Sequence, residues 1–107
     1  MRVDPFHPPT YVYWLGKAYY FSGDEEQAIK FIREGAERMQ GFLPPRVLLA
    51  AVTARLGLDE EARRAALEIM ELRPGFTVTD WIKFLRIVDE SYAARLRQDL
   101  HKASLPE

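Results

Sequence analysis

The residues of this chain repeat at an offset of 34 positions. Leu15 returns as Leu49, Gly23 as Gly57, Glu26 as Glu60 and Ala28 as Ala62. Glu34, Glu37, Gly41 and Phe42 return as Glu68, Glu71, Gly75 and Phe76. Such a period marks a supersecondary unit that cannot bury its apolar face alone and stacks on its neighbour. The matched pairs say what the unit is. Gly23 and Gly57 each follow an apolar stretch and precede an acidic run, Asp24-Glu25-Glu26 and Asp59-Glu60-Glu61. Glycine takes the left-handed backbone that ends a helix, and acidic side chains suit the first turn of the next. Each unit is therefore predicted to be helix, tight turn, helix.

Apolar spacing agrees. Tyr11, Trp14, Leu15, Ala18 and Tyr19 recur at helical intervals, as do Ala28, Ile29, Ile32, Ala36 and Met39. Pro44-Pro45 opens a third helix, where a missing N–H costs nothing. Ala50, Val52 and Leu56, then Ala62, Ala66, Ile69 and Met70, supply the second pair, and Pro74-Gly75 stops it. No stretch alternates with period two, so no strand is predicted. Gly16, Ala28 and Gly35 fall where two helices cross, and their small side chains let backbones approach to about 8 Å. Ala50 and Ala62 repeat this, while Ile69 stands opposite Gly35 in the alignment. Residues 77–107 break the repeat. Thr77 or Thr79 can cap a helix carrying Trp81, Ile82, Phe84, Leu85 and Val88. Asp89-Glu90-Ser91 then starts another, with Tyr92, Leu96, Leu100 and Ala103 in one stripe. The tail reads as the cap that a stack of repeats needs, or else as an amphipathic helix for a partner.

Composition narrows the function. The chain has 107 residues, 15 Lys and Arg against 16 Asp and Glu, and no cysteine. A net charge of −1 excludes a strongly basic nucleic-acid arm. The absence of cysteine excludes disulfides and thiolate sites, and His7 and His101 stand too far apart to suggest a metal cluster. No apolar run reaches the ~20 residues of a membrane span. Nor does the start have the apolar core of a signal peptide, so the cytoplasm is the expected compartment. Ser22, Ser91 and Ser104 sit in no nucleophile motif, and no phosphate loop or His-Glu-x-x-His is present. The paired carboxylates begin helices, and Arg63-Arg64 alternates with Glu60, Glu61 and Glu68 as on a solvated face. No catalytic residue, metal or cofactor is expected.

Leu15-Gly16-Lys17-Ala18-Tyr19-Tyr20, Gly23-Asp24 and Ala28-Ile29 together resemble the tetratricopeptide repeat. Val12, Gly35 and Gln40 depart from its pattern. The second unit matches at Leu49-Ala50, Gly57, Glu61-Ala62 and Pro74, with Thr53 in place of the tyrosine. The resemblance implies an all-α, right-handed solenoid in one domain over 1–107. Its repeats would be 9–42 and 43–76, closed by two capping helices in 77–107. A narrower likeness runs through Asp4-Pro5-Phe6-His7-Pro8-Pro9, Trp14 to Tyr19, Arg46, Leu49-Ala50-Ala51 and the ending Leu100-His101-Lys102-Ala103-Ser104-Leu105-Pro106-Glu107. It is similar to C-terminal segments of bacterial signalling proteins, of adenylate/guanylate-cyclase or transcriptional-regulator type. On that likeness the chain is expected to be a fragment of a longer one.

In the resembled family the first helix of each repeat lines a concave groove. Carried over, Thr10, Tyr13, Lys17, Tyr20, Phe21, Val47, Ala51, Ala54 and Arg55 would line it here. The resemblance thus implies a non-enzymatic module that binds a protein or peptide partner, with no nucleic acid and no membrane. Six aromatics between Tyr11 and Phe21 exceed what one partner helix can bury. They serve a groove, a neighbouring repeat, or a homodimer in which the first helix meets its own copy. A chain that contains no asparagine lacks the family's carboxylate clamp. The alternative function is the regulatory or self-association segment of a cyclase-type signalling protein.

Overall fold

The computed structural model describes residues 9–85 and 89–107, with side chains from residue 11 onward. The N-terminal segment with Phe6 and His7, the side chain of Thr10, and Val88 lie outside the described residues. Among the described residues six helices run in order: α1 (Pro9–Ser22), α2 (Glu25–Arg38), α3 (Leu43–Arg55), α4 (Asp59–Leu72), α5 (Val78–Leu85) and α6 (Glu90–Lys102). No strand occurs among the described residues. The fold is all-α and helical-repeat-like.

The expected turns form by the same chemistry in both pairs. Gly23 and Gly57 have φ of 91° and 79°. Gly23 N–H donates to Tyr20 O at 3.2 Å and Asp24 N–H to Tyr19 O at 2.9 Å. Gly57 and Leu58 repeat this on Ala54 O (3.1 Å) and Thr53 O (2.9 Å). These paired bonds satisfy the last carbonyls of α1 and α3, which a helix end otherwise leaves open. Asp24 then serves α2, its carboxylate accepting from Gln27 N–H at 3.2 Å. α3 opens on Pro44 and Pro45 as expected, with no side-chain cap.

The crossings follow the small residues. A Cβ added to Gly16 would stand 2.5 Å from Ile32 Cγ1 and 3.1 Å from the Ile32 nitrogen. Glycine there is what lets α1 lie against α2. Ala28 and Ala62 are buried. The buried line of α1 is Val12, Tyr13, Gly16 and Tyr20. It is not the expected stripe through Tyr11, Trp14 and Ala18, which are exposed, Trp14 at 69%. Gly16 decides this: at 3.6 residues per turn Trp14 lies roughly 160° round the helix from it.

α3 is central and touches α1, α2, α4 and α6. The tail closes on this core. Thr77 caps α5 through Asp80 N–H at 3.2 Å, and Asp89 caps α6 through Ser91 N–H at 2.9 Å. Phe76, Val78, Trp81, Ile82, Leu96, Leu100, Ala103 and Leu105 join one core cluster with the four earlier helices. The last residues return to α5. Val78 N–H donates to Pro106 O at 2.9 Å and Thr79 N–H to Glu107 O at 3.0 Å. Arg97 and His101 both pair with the Glu107 carboxylate.

Candidate functional site

Helix α6 packs on α3 and meets the Tyr20, Phe21 and Arg55 end of the face expected to be a groove. This helix crosses α3 and reaches the last turn of α1. Tyr20 OH donates to Asp99 Oδ2 at 2.5 Å, and Arg55 Nη1 donates to the same oxygen at 3.5 Å. Arg95 Nη1 donates to the Tyr20 carbonyl at 3.2 Å. Phe21 lies against Tyr92, ring centroids 5.3 Å apart, and edge-on to Tyr20 at 5.0 Å. Arg55 is also held by Glu25 of α2. One polar lock therefore joins α1, α2, α3 and α6.

The nine residues carried over from the resemblance fall into distinct positions. Tyr20, Val47, Ala51 and Ala54 are buried essentially completely, and Tyr13 nearly so. Phe21, Lys17 and Arg55 are half-buried. Thr10 lies in α1, its side chain outside the described part. Tyr20, Phe21 and Arg55 are brought together, but by a helix of the same chain. Lys17 takes no part in that cluster. Arg55, expected to line the groove, is paired with two carboxylates of this chain, Glu25 and Asp99.

Electrostatics follow from the burial. Tyr13 is pushed up to about 12 by desolvation. Tyr20 is raised further, by burial and by its bond to Asp99. Burial raises Asp99 above the ordinary aspartate value, against the opposing pull of Tyr20 and Arg55. Glu25 is lowered by its bond to Arg55, and Glu61 by its bond to Arg33. Among the described residues no buried side-chain nitrogen or oxygen lacks a partner. No three His, Cys, Asp or Glu side chains converge there as a metal site would need. No described helix is long and apolar enough to cross a membrane.

Sequence reasoning took Glu25 only as a first-turn residue and Tyr92 only as part of the apolar stripe, and it named neither Asp99 nor Arg95 as a site residue. Asp99 did carry a signal. It lies three residues after Leu96 and four before Ala103, so it is a charge on the apolar stripe of α6. A charge in that position is buried only if it is paired.

Two hollows lie apart from these residues. Arg33, Arg46, Arg64, Glu61 and Glu68 line an open hollow of about 880 Å³ between α2, α3 and α4, with the Arg33–Glu61 and Arg46–Glu68 pairs in its lining. Phe42, Leu72, Trp81 and Phe84 line a more apolar one of about 370 Å³.

No family model, curated protein or solved structure matches the chain. The class defined by the fold is thus an all-α, helical-repeat-like protein whose first-helix face seats its own C-terminal helix.

Proposed function

We propose that the chain is a non-enzymatic protein-interaction module, built as two tetratricopeptide-like repeats with a helical cap, that binds a protein or peptide partner. One observation carries the reading: the α1–α3 face receives a helix. Its α3 side is made of small residues, Val47, Ala51 and Ala54, which permit close approach. Its rim holds Tyr20 and Arg55, groups that give such contacts direction and specificity. Tyr20 and Asp99, both raised by burial, bond to each other inside this contact, which supports a packing role for them over acid–base work. The test is photo-cross-linking in the cell of origin, with a benzoylphenylalanine replacing Lys17 at the edge of this face. A discrete adduct that disappears in a Tyr20→Ala/Arg55→Ala background is expected. The reading fails if Lys17 gives no adduct beyond those of an unrelated surface position.

A second reading, the self-association segment of a cyclase-type signalling protein, is favoured by the exposed aromatic stripe of α1. Tyr11 is 44% and Trp14 69% exposed, one turn apart on a helix with α2 on its other side. A two-fold pairing through that stripe would bury both.

A further inference from the structure

Three features of α6 set it apart from a plain cap. Its buried positions are Leu96, Asp99, Leu100 and, just past its end, Ala103. They form one stripe, Leu-x-x-Asp-Leu-x-x-Ala, with a carboxylate among the apolar groups. The carboxylate is hydrogen-bonded by side chains of the receiving face, Tyr20 from α1 and Arg55 from α3, while Arg95 of α6 itself adds charge attraction without a hydrogen bond to it. Finally, α1 to α4 pack on one another through α1–α2, α2–α3 and α3–α4 contacts that do not involve α6. Helix α6 is thus seated as a ligand helix is seated in a groove: apolar anchors at helical spacing, plus one polar contact that sets register.

We propose that the α1–α3 face is the module's partner site and that α6 is its resident occupant. The external ligand would be an amphipathic helix of a partner protein with the Leu-x-x-Asp-Leu-x-x-Ala pattern, its aspartate taken by Tyr20 and Arg55. This rests on the interaction-module reading. The partner helix binds only to the fraction of molecules in which α6 has left. Its apparent affinity is lowered by that fraction, and anything that loosens α6 raises it.

The experiment uses the full chain. Hydrogen exchange of the wild-type protein compares the amides of 94–102 with those of α3. Faster exchange in α6, independent of global unfolding, is expected. Equal protection in the two helices overturns the proposal, because α6 then leaves only when the whole core opens. Next, Leu96→Ala/Asp99→Ala loosens α6 and leaves the receiving face intact. A labelled helical peptide that keeps only Leu, Asp, Leu and Ala at the four positions, on an unrelated host, is titrated into both proteins. Binding at least about tenfold tighter to the loosened variant is expected, with most of the gain lost when Arg55→Ala is added. A variant that keeps its circular dichroism but ignores the peptide overturns the proposal. So does a variant that unfolds, or one that forms a dimer which the peptide cannot dissociate, since a second copy is then the occupant. A positive titration with no cross-linked cellular partner would leave the helix-receiving face standing and remove the module reading.

Discussion

Asp99 shows how one buried charge sets a pH dependence. Its folded pKa is raised, chiefly by burial, so the folded chain keeps a proton that the unfolded chain has lost. The resulting stability is fully present below the unfolded value of about 3.9 and is lost as pH rises through the raised folded value. Glu25 runs the other way. Arg55 lowers it, so its contribution is present above the ordinary glutamate value and is lost as pH falls through the lowered one. Asp99→Asn removes only the first dependence. In urea unfolding, the variant should gain on the wild type as pH climbs from about 4 to about 7, and a constant difference would refute the raised pKa. Ser104 makes a separate case. It has φ of 74° and occupies the turn that ends α6, where its N–H donates to His101 O at 2.9 Å and Leu105 N–H donates to Leu100 O at 3.2 Å. Gly23 and Gly57 fill the equivalent positions after α1 and α3. A serine there pays the left-handed penalty that glycine avoids. Ser104→Gly should raise stability by about 0.5–1 kcal/mol, net of the freedom glycine adds to the unfolded chain. A thermal midpoint that stays put or falls would refute it.

Two glycines on one helix pair should answer oppositely to the same substitution. At Gly16 the α1–α2 crossing leaves no room, since a Cβ would press on Ile32 Cγ1 and the Ile32 backbone. Gly16→Ala should force the helices apart and cost about 1–3 kcal/mol. At Gly35 the nearest atoms to an added Cβ are Tyr13 Cα at 3.6 Å and Tyr13 Cβ at 3.7 Å, ordinary contact. Gly35→Ala should therefore keep the crossing and gain up to about 1 kcal/mol of helix propensity. Chemical unfolding of the two variants side by side checks this, and a loss at Gly35 comparable to that at Gly16 would show a tighter crossing there. The sequence displayed both glycines as packing residues. It could not separate them, because the difference lies in which side chain of the partner helix stands opposite.

At the scale of the whole molecule, the self-association reading turns on the exposed stripe of α1. Trp14 and Tyr11 project from the side of α1 opposite Gly16. Light scattering at high micromolar concentration should give twice the chain mass. Trp14→Glu should return it to the monomer without changing the helix content, because a side chain that exposed carries no core packing. A wild-type monomer under those conditions would remove the self-association reading. The α6 lock is independent of this outcome, since Tyr20, Asp99 and Arg55 lie within one chain.

Gly23, Gly57 and the acidic residues after them determined the helical pairs locally. A left-handed glycine and a capping carboxylate act over four or five residues and need no distant partner. The period of 34 likewise set the helix starts, since α2 and α4 begin at Glu25 and Asp59 and α1 and α3 at Pro9 and Leu43. The apolar stripe of α6 was legible through Leu96, Leu100 and Ala103, which left open whether the helix caps the stack or serves a partner. What only the tertiary structure decided is the meeting of Tyr20 with Asp99, 79 positions apart, and with it the docking of α6 at one end of the face that the resemblance left open. Spacing in a sequence reports which residues share a face of one helix. It carries no term for which face of another helix they meet. That choice was made by the depth of Gly16, the small side chains of α3 and the one buried carboxylate that had to find its partners.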